Sequence, residues 1–189
     1  LHEEARQHDR TAVLVGSGPS VKGQLESIRE EMRLGHTIIA VKDAHDWLIE
    51  NGIVPHYAVA VDPQEHRWNC FTKKHESVHY YIASQCHPAM FEHLKDRHVI
   101  LWHLYIKEGQ DYPPDSLLVT GGTTTGLRSI TLFYSMGFRK FSLYGYDSCL
   151  TDGVLRVNGK SGEGAFDIFV GNAKRRFTTT PEMAAQANE

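Results

Sequence analysis

The chain predicts an α/β fold of three layers, a mostly parallel sheet between helices, and two observations carry that reading. The first is a repeated exit from helix to strand: Leu34-Gly35 precedes Thr37-Ile38-Ile39-Ala40-Val41, Asn51-Gly52 precedes Tyr57-Ala58-Val59-Ala60-Val61, and Met136-Gly137 precedes Phe141-Ser142-Leu143-Tyr144. Glycine just past a helix end reaches positive φ without a Cβ clash, so each marks an α-to-β junction. The second is that these strands are short apolar runs without strict polar alternation, as strands covered by helices on both faces are.

Taken in order, the pattern places strands near 12–15, 37–41, 57–61, 79–83, 98–102 and 140–145, and helices near 21–34, 43–51, 64–75, 88–96 and 124–136. Segment 104–122, with Pro113-Pro114, reads as a long loop holding one short extended piece at Leu117-Leu118-Val119, and loops of that length are often functional. Beyond Asp147 the sequence turns Gly-rich and alternating: Val154–Gly159 and Phe166–Val170 suggest a hairpin-like excursion. Thr180-Pro181-Glu182 supplies an N-cap, a proline at the first helical position and a first-turn acid, so a last helix begins there. A helix that short is marginal alone, and the expectation is that it continues in a longer native chain.

At 189 residues the chain is expected to be one domain spanning 1–189, truncated at that last helix. Hydrophobic residues are 41% and charged ones 23%, and no apolar run approaches the ~18 residues of a membrane span. Cys70, Cys86 and Cys149 are too few and too scattered for a disulfide framework or a zinc knuckle, so a reducing, cytoplasmic compartment is expected. A formal charge of −3, with Lys174-Arg175-Arg176 the one basic cluster, gives no footprint for nucleic acid. The oligomeric state, including a homo-oligomer, is left open.

In a parallel α/β sheet all strand carboxyl ends share one edge, and ligands bind in the crevice outside them. That edge receives Gly16-Ser17-Gly18-Pro19-Ser20, Lys42-Asp43, Asp62-Pro63-Gln64, Ser84-Gln85, His103 and Gly145-Tyr146-Asp147-Ser148, while Gly121-Gly122-Thr123-Thr124-Thr125 opens the helix before the last strand. Two Gly-containing turns and two carboxylates suit a metal-nucleotide site, with backbone donors for phosphate and hard oxygens for magnesium. Gly16, Ser17, Gly18, Ser20, Gly122 and Thr123 are therefore the candidate nucleotide-binding residues, and Asp62 and Asp147 the candidate catalytic residues and magnesium ligands. Each has a plainer alternative: a tight turn at Gly16–Gly18, a capped helix start at Gly121–Thr125, and N-caps at Asp62 and Asp43. The dinucleotide fingerprint fails at Val21, and Pro19 removes one loop N–H, so NAD is disfavoured. Tyr80, Tyr81 and Trp102 read as core.

The run Val13-Leu14-Val15-Gly16-Ser17-Gly18-Pro19-Ser20, followed by Ala40–Ala44, Gly52–His56, Val61-Asp62-Pro63, Gly121-Gly122-Thr123 and Leu143–Asp147, resembles the family of the archaeal 6-hydroxymethyl-dihydropterin pyrophosphokinase and the bacterial motility accessory factors. The Gly-x-Gly-Pro-Ser and Gly-x-Asp patterns are also similar to those of bacterial CMP-sialic acid sialyltransferases, whose fold is Rossmann-like. The resemblance implies a Rossmann-like sheet and a nucleotide-dependent transferase: ATP and magnesium for the pyrophosphokinases, nonulosonic-acid transfer to flagellin for the accessory factors. Partners would be a nucleotide or nucleotide sugar and a small-molecule, glycan or protein acceptor, the acceptor chosen by loop 104–120 and the segment after Asp147. The sialyltransferases' histidine base has no counterpart, since no histidine follows His103, and the Asn of their loop is Ser17 here. A nucleotide- or sugar-binding module without turnover is the alternative.

Overall fold

The computed structural model describes residues 6–105, 111–159, 164–170 and 175–187. Seven strands, β1 (Thr11–Val15), β2 (Thr37–Val41), β3 (Tyr57–Ala60), β4 (His79–Ala83), β5 (His98–Leu104), β6 (Leu118–Val119) and β7 (Lys140–Tyr144), form one sheet in the order β6-β5-β4-β3-β2-β1-β7. Every neighbouring pair is parallel. The chain therefore steps outward from β1 to β6, one strand at a time. It then returns across the sheet's full width to lay β7 on the other side of β1.

Helices α1 (Leu25–Arg33), α2 (Ala44–Glu50) and α3 (Pro88–His93) accompany the outward steps, and α4 (Thr125–Ser135) makes the return. Right-handed crossovers running in opposite directions must lie on opposite faces of the sheet. Successive strand residues show those two faces. Tyr80 packs its ring on Phe71 and His45, whereas Tyr81 and Tyr57 pack on Phe133 of α4, with Tyr57 and Phe133 stacked at 5.5 Å. All of β1 from Ala12 to Val15 and β2 from Ile38 to Ala40 is inaccessible to solvent. Both-sided burial is the reason these strands lack polar alternation. Trp102, Tyr80 and Tyr81 are core, as their sequence setting implies.

The three glycine exits are real: Gly35, Gly52 and Gly137 have φ of +76°, +75° and +99°. Several boundaries differ from expectation. The helix expected at 21–34 is a 3-10 segment, Pro19–Gln24, running into α1. The helix expected at 64–75 is a 3-10 segment, Glu65–Phe71, that stops because the next two amides are taken elsewhere: Thr72 and Lys73 N–H donate to the carboxylate of Asp46 at 2.9 and 3.1 Å. α3 ends at His93, and β5 runs on to Leu104.

The excursion after Asp147 also differs. Phe166–Val170 (β8) pairs antiparallel not with 154–159 but with Arg175–Thr179 (β9). Segment 154–159 instead returns to the sheet edge, where Val157 is buried and its N–H donates to Ser17 O at 2.7 Å. The last helix, α5 (Pro181–Gln186), starts as its sequence predicts, Thr180 Oγ1 accepting from Met183 N–H. Lys174 of the basic cluster and residues 106–110 of the long loop lie outside the described residues. No described helix is long and apolar enough to cross a membrane.

Phe133 fills the space between Tyr57, Tyr81 and Phe138, so Phe133→Ala should cost about 3–5 kcal/mol in urea unfolding. Asp46 joins α2 to the end of the 3-10 segment through the Thr72 and Lys73 amides and is held on α2 by His45; burial raises its pKa, but the hydrogen bonds to His45, Thr72 and Lys73 outweigh burial and leave it lowered. A depressed carboxylate stabilises the fold above its unfolded pKa of about 3.9 and loses that contribution as pH falls through the folded value. Unfolding free energy should therefore fall as pH is lowered below about 4, and Asp46→Asn should flatten that decline in urea titrations across the acid range.

Candidate active site

β1 and β7 are neighbours whose connections leave in opposite directions, which makes their carboxyl ends the switch point where a parallel sheet opens a crevice. A cleft of about 770 Å³ lies there, within the range of small-molecule sites. Its floor includes Gly16, Ser17, Gly18, Lys42, Asp62, Gly145, Asp147 and Arg156. Its wall is apolar, with Leu127 and Ile130 of α4, Leu143 of β7, Leu155, and Met183 of α5.

The two Gly-containing loops are fastened to each other. Gly16 N–H donates to Tyr144 O at 2.8 Å and Gly18 N–H to Gly145 O at 2.9 Å. A Cβ on Gly18 would stand 2.5 Å from Asp147 Oδ2 and 2.6 Å from Gly145 O; one on Gly16 would stand 2.6 Å from Gly145 O. Gly145 itself sits at φ +67°, its missing Cβ 2.5 Å from Gly16 O. These glycines let two backbones touch, and the Gly16 and Gly18 N–H groups are used in the contact rather than left free for a phosphate. Asp147 completes the clasp: Ser20 N–H donates to Oδ2 at 2.8 Å and Ser20 O–H to Oδ1. Ser20 and Gly122 do not line the cleft, whereas Gly16, Ser17, Gly18, Thr123, Asp62 and Asp147 do.

Free donors come from α4. Thr124 caps the helix, its Oγ1 accepting from Leu127 N–H at 3.1 Å, and Arg128 N–H donates to Thr124 O. The Thr125 and Gly126 amides have no protein acceptor among the described residues. The Thr125 hydroxyl is buried without a hydrogen-bond partner, and the residue lines the cleft at 6% exposure. A buried polar group normally has a partner, so this one points to a ligand. Tyr146 closes the same corner, its hydroxyl donating to Gly126 O at 3.3 Å and its pKa raised by burial.

Asp62 is neither a helix cap nor a free carboxylate. The residue ahead of the 3-10 segment is Gln64, and Asp62 Oδ2 is held by Lys42 Nζ and by Arg67 Nε at 3.1 Å. Burial raises the Asp62 pKa, but Lys42 and Arg67 outweigh burial and keep the carboxyl below its ordinary range. Burial lowers the Lys42 pKa, opposed by Asp62. Lys42 adopts φ +50°, a conformation uncommon outside glycine and concentrated at functional sites. Asp43 sits ahead of α2 but makes no cap bond, because its carboxylate faces Arg67 at 3.5 Å. Arg156, from the returning segment, donates to Ser17 Oγ at 3.0 Å.

Magnesium takes hard oxygens with charge to spare. Asp62 already shares its charge between two cations, and both Asp147 oxygens accept from Ser20, so the donor set does not fit a protein-held magnesium ion. No group of three or more His, Cys, Asp or Glu is placed for a metal among the described residues. Cys70 and Cys86 are buried thiols whose pKa values burial raises, Cys86 to about 12, so neither is poised as a nucleophile.

Lys42 was legible as a cation following a buried strand onto the Asp62 edge, and Thr125 as part of the Gly-Gly-Thr run. Arg156 had no signal, since it lies in a stretch that reads as strand.

Topology and cleft define a Rossmann-like α/β domain with its crevice at the β1/β7 switch point. The chain belongs to the MptE-like family, whose model, described as 6-hydroxymethylpterin diphosphokinase MptE-like, matches residues 1–153. Among solved structures, a MAf glycosyltransferase from Magnetospirillum magneticum AMB-1 is similar in fold, with a TM-score of 0.74 at 18% identity. The similarity covers 96% of this chain and 29% of that one, so this chain spans under a third of that protein's length. No curated protein matches.

Gly18→Ala and Gly145→Ala should each destabilise the fold by about 1–3 kcal/mol, because the new methyl meets backbone or a pinned carboxylate rather than open space. Gly23→Ala, whose Cβ meets nothing within 4 Å, is the control. Equal thermal melting of all three variants would refute the clasp.

Proposed function

We propose that this chain is the nucleotide-binding domain of a nucleotide-dependent transferase acting in the cytoplasm, moving a diphosphate or a glycosyl group. The observation that carries the reading is the orphaned Thr125 hydroxyl beside the free Thr125 and Gly126 amides, at the positive end of α4 and inside the switch-point cleft. Helix N-termini bind phosphate through such amides and the helix dipole. The ligand's phosphate sits at α4, with the Ser17 hydroxyl, itself accepting from Arg156, turned to a second oxygen. Its base or sugar lies against Leu127, Ile130 and Leu143, beside a turn where Gly16 and Gly18 carry no side chain.

The diphosphokinase description of the family supports phosphate chemistry, and the fold shared with a glycosyltransferase supports a transfer role. Acceptor choice falls to loop 104–120 and to the segment that brings in Arg156. A second reading, binding without turnover, is favoured by the cleft's chemistry: among the described residues no histidine lines it, and Asp62 and Asp147 are committed to other partners.

Calorimetric and melting assays with ATP, CMP, CDP and a panel of nucleotide sugars test the reading. A ligand at 100 times its dissociation constant should add about 2.7 kcal/mol of stability. Thr125→Val, which keeps shape and removes the orphan hydroxyl, should weaken binding at least about tenfold, or ~1.4 kcal/mol. Unchanged melting with every ligand would remove the nucleotide reading; binding without product formation would leave the module without turnover.

A further inference from the structure

We propose that the phosphate charge of the ligand is met by Arg156 and by Lys42, which Asp62 otherwise pairs, so that the site takes a nucleotide without a divalent ion held on the protein. This rests on the nucleotide reading above. Arg156 carries five N–H donors in a rigid fork. It lines the cleft half-buried, donates once, to Ser17 Oγ at 3.0 Å, and has no carboxylate within ion-pair distance among the described residues. Its backbone is fixed by the neighbouring Val157, buried and bonded to Ser17 O at 2.7 Å. A half-buried guanidinium held in place, with four of its donors unpaired among the described residues, is a site for an anion.

Lys42 adds the second charge. Its side chain is 14% exposed, and among the described residues its only carboxylate partner is Asp62, which it shares with Arg67. Lys42 and Arg67 thus pair with Asp62 and Asp43, and Arg156 adds a third positive charge that acts on Lys42. The other acids on the cleft lining are engaged or distant in role: Asp147 is bound by Ser20, and Glu182 stands exposed on α5. A phosphate entering beside Ser17 supplies the missing counter-charge. Asp62 then competes with the ligand for Lys42, which is the opposite of what a magnesium ligand does.

The two roles predict opposite signs. CMP, CDP and ATP are titrated calorimetrically into the protein with magnesium and with chelator, using wild type, Arg156→Gln, Arg156→Lys and Asp62→Asn, each checked for folding by thermal melting. Wild type should bind equally in both buffers, Arg156→Gln should lose at least about tenfold, Arg156→Lys should recover part of that loss, and Asp62→Asn should bind as tightly as wild type or tighter. Magnesium-dependent binding by wild type that Asp62→Asn abolishes would overturn the proposal, as would wild-type affinity in Arg156→Gln. Should Arg156→Gln fail to fold, the magnesium response of wild type and of Asp62→Asn still decides. Failure of every nucleotide to bind wild type in either buffer is a distinct result, and it removes the nucleotide reading itself.

Discussion

The clasp between the loops after β1 and β7 is the constraint on which the rest of the site depends. Parallel strands come together through ladders, but nothing in a ladder fixes how two loops leave its end. Here the Gly16–Gly18 turn and Gly145 approach so closely that neither tolerates a Cβ, and Ser20 locks the approach onto both oxygens of Asp147. The hydrogen bond has an energetic logic: a partly buried carboxylate left unpaired costs far more than the bond itself returns, so Asp147 and Ser20 specify one geometry. With the clasp set, Ser17 is presented to both Arg156 and Val157, and the returning segment has a place to land.

Charge is organised separately, one strand further along. Lys42 and Arg67 are too buried to be left as independent ions and are balanced by Asp62 and Asp43, so the positive charge of Arg156 is the one without a carboxylate partner among the described residues. Lys42 at φ +50° fits this picture, since a lysine held off its preferred backbone is aimed by the fold rather than free to seek solvent. The division of labour is clear: glycines and Asp147 set shape, while the Lys42 and Arg156 cations set charge.

What the sequence disclosed and what it hid follow from the range of the interactions. Six of the seven parallel strands were legible as short apolar runs, and the seventh, β6, as a short extended piece at Leu117-Leu118-Val119; the central strands β1–β4 leave that trace through two-sided burial, and the glycine exits were legible because positive φ is a local demand. Asp62 and Asp147 were legible as residues at the crevice, but their partners were not. Asp147 meets Ser20 across 127 positions and Arg156 meets Ser17 across 139, separations at which no pattern survives. The Glu65–Phe71 segment misled for the same reason, since a carboxylate on α2 takes the amides that would have continued the helix. The glycines were recognised correctly as special, yet the neighbour they make room for is another loop.

The return helix explains why the orphan donor lies where it does. In a parallel sheet every connecting helix runs antiparallel to the strands, so every helix N-terminus faces the carboxyl edge. Most of those ends here are spoken for: α1 is preceded by the 3-10 segment Pro19–Gln24, Asp43 ahead of α2 faces Arg67, and His87 accepts from Ala89 N–H at α3. α4 differs because it must cross from β6 to β7, over β3, β2 and β1, and so begins next to the one place where the sheet's connections diverge. Its cap satisfies Leu127, while the Thr125 and Gly126 amides and the Thr125 hydroxyl, on residues that line the cleft, have no partner among the described residues. Strand order alone brings that helix end, the clasp and the Lys42 cluster to one crevice, and the chemistry of the site follows from their meeting.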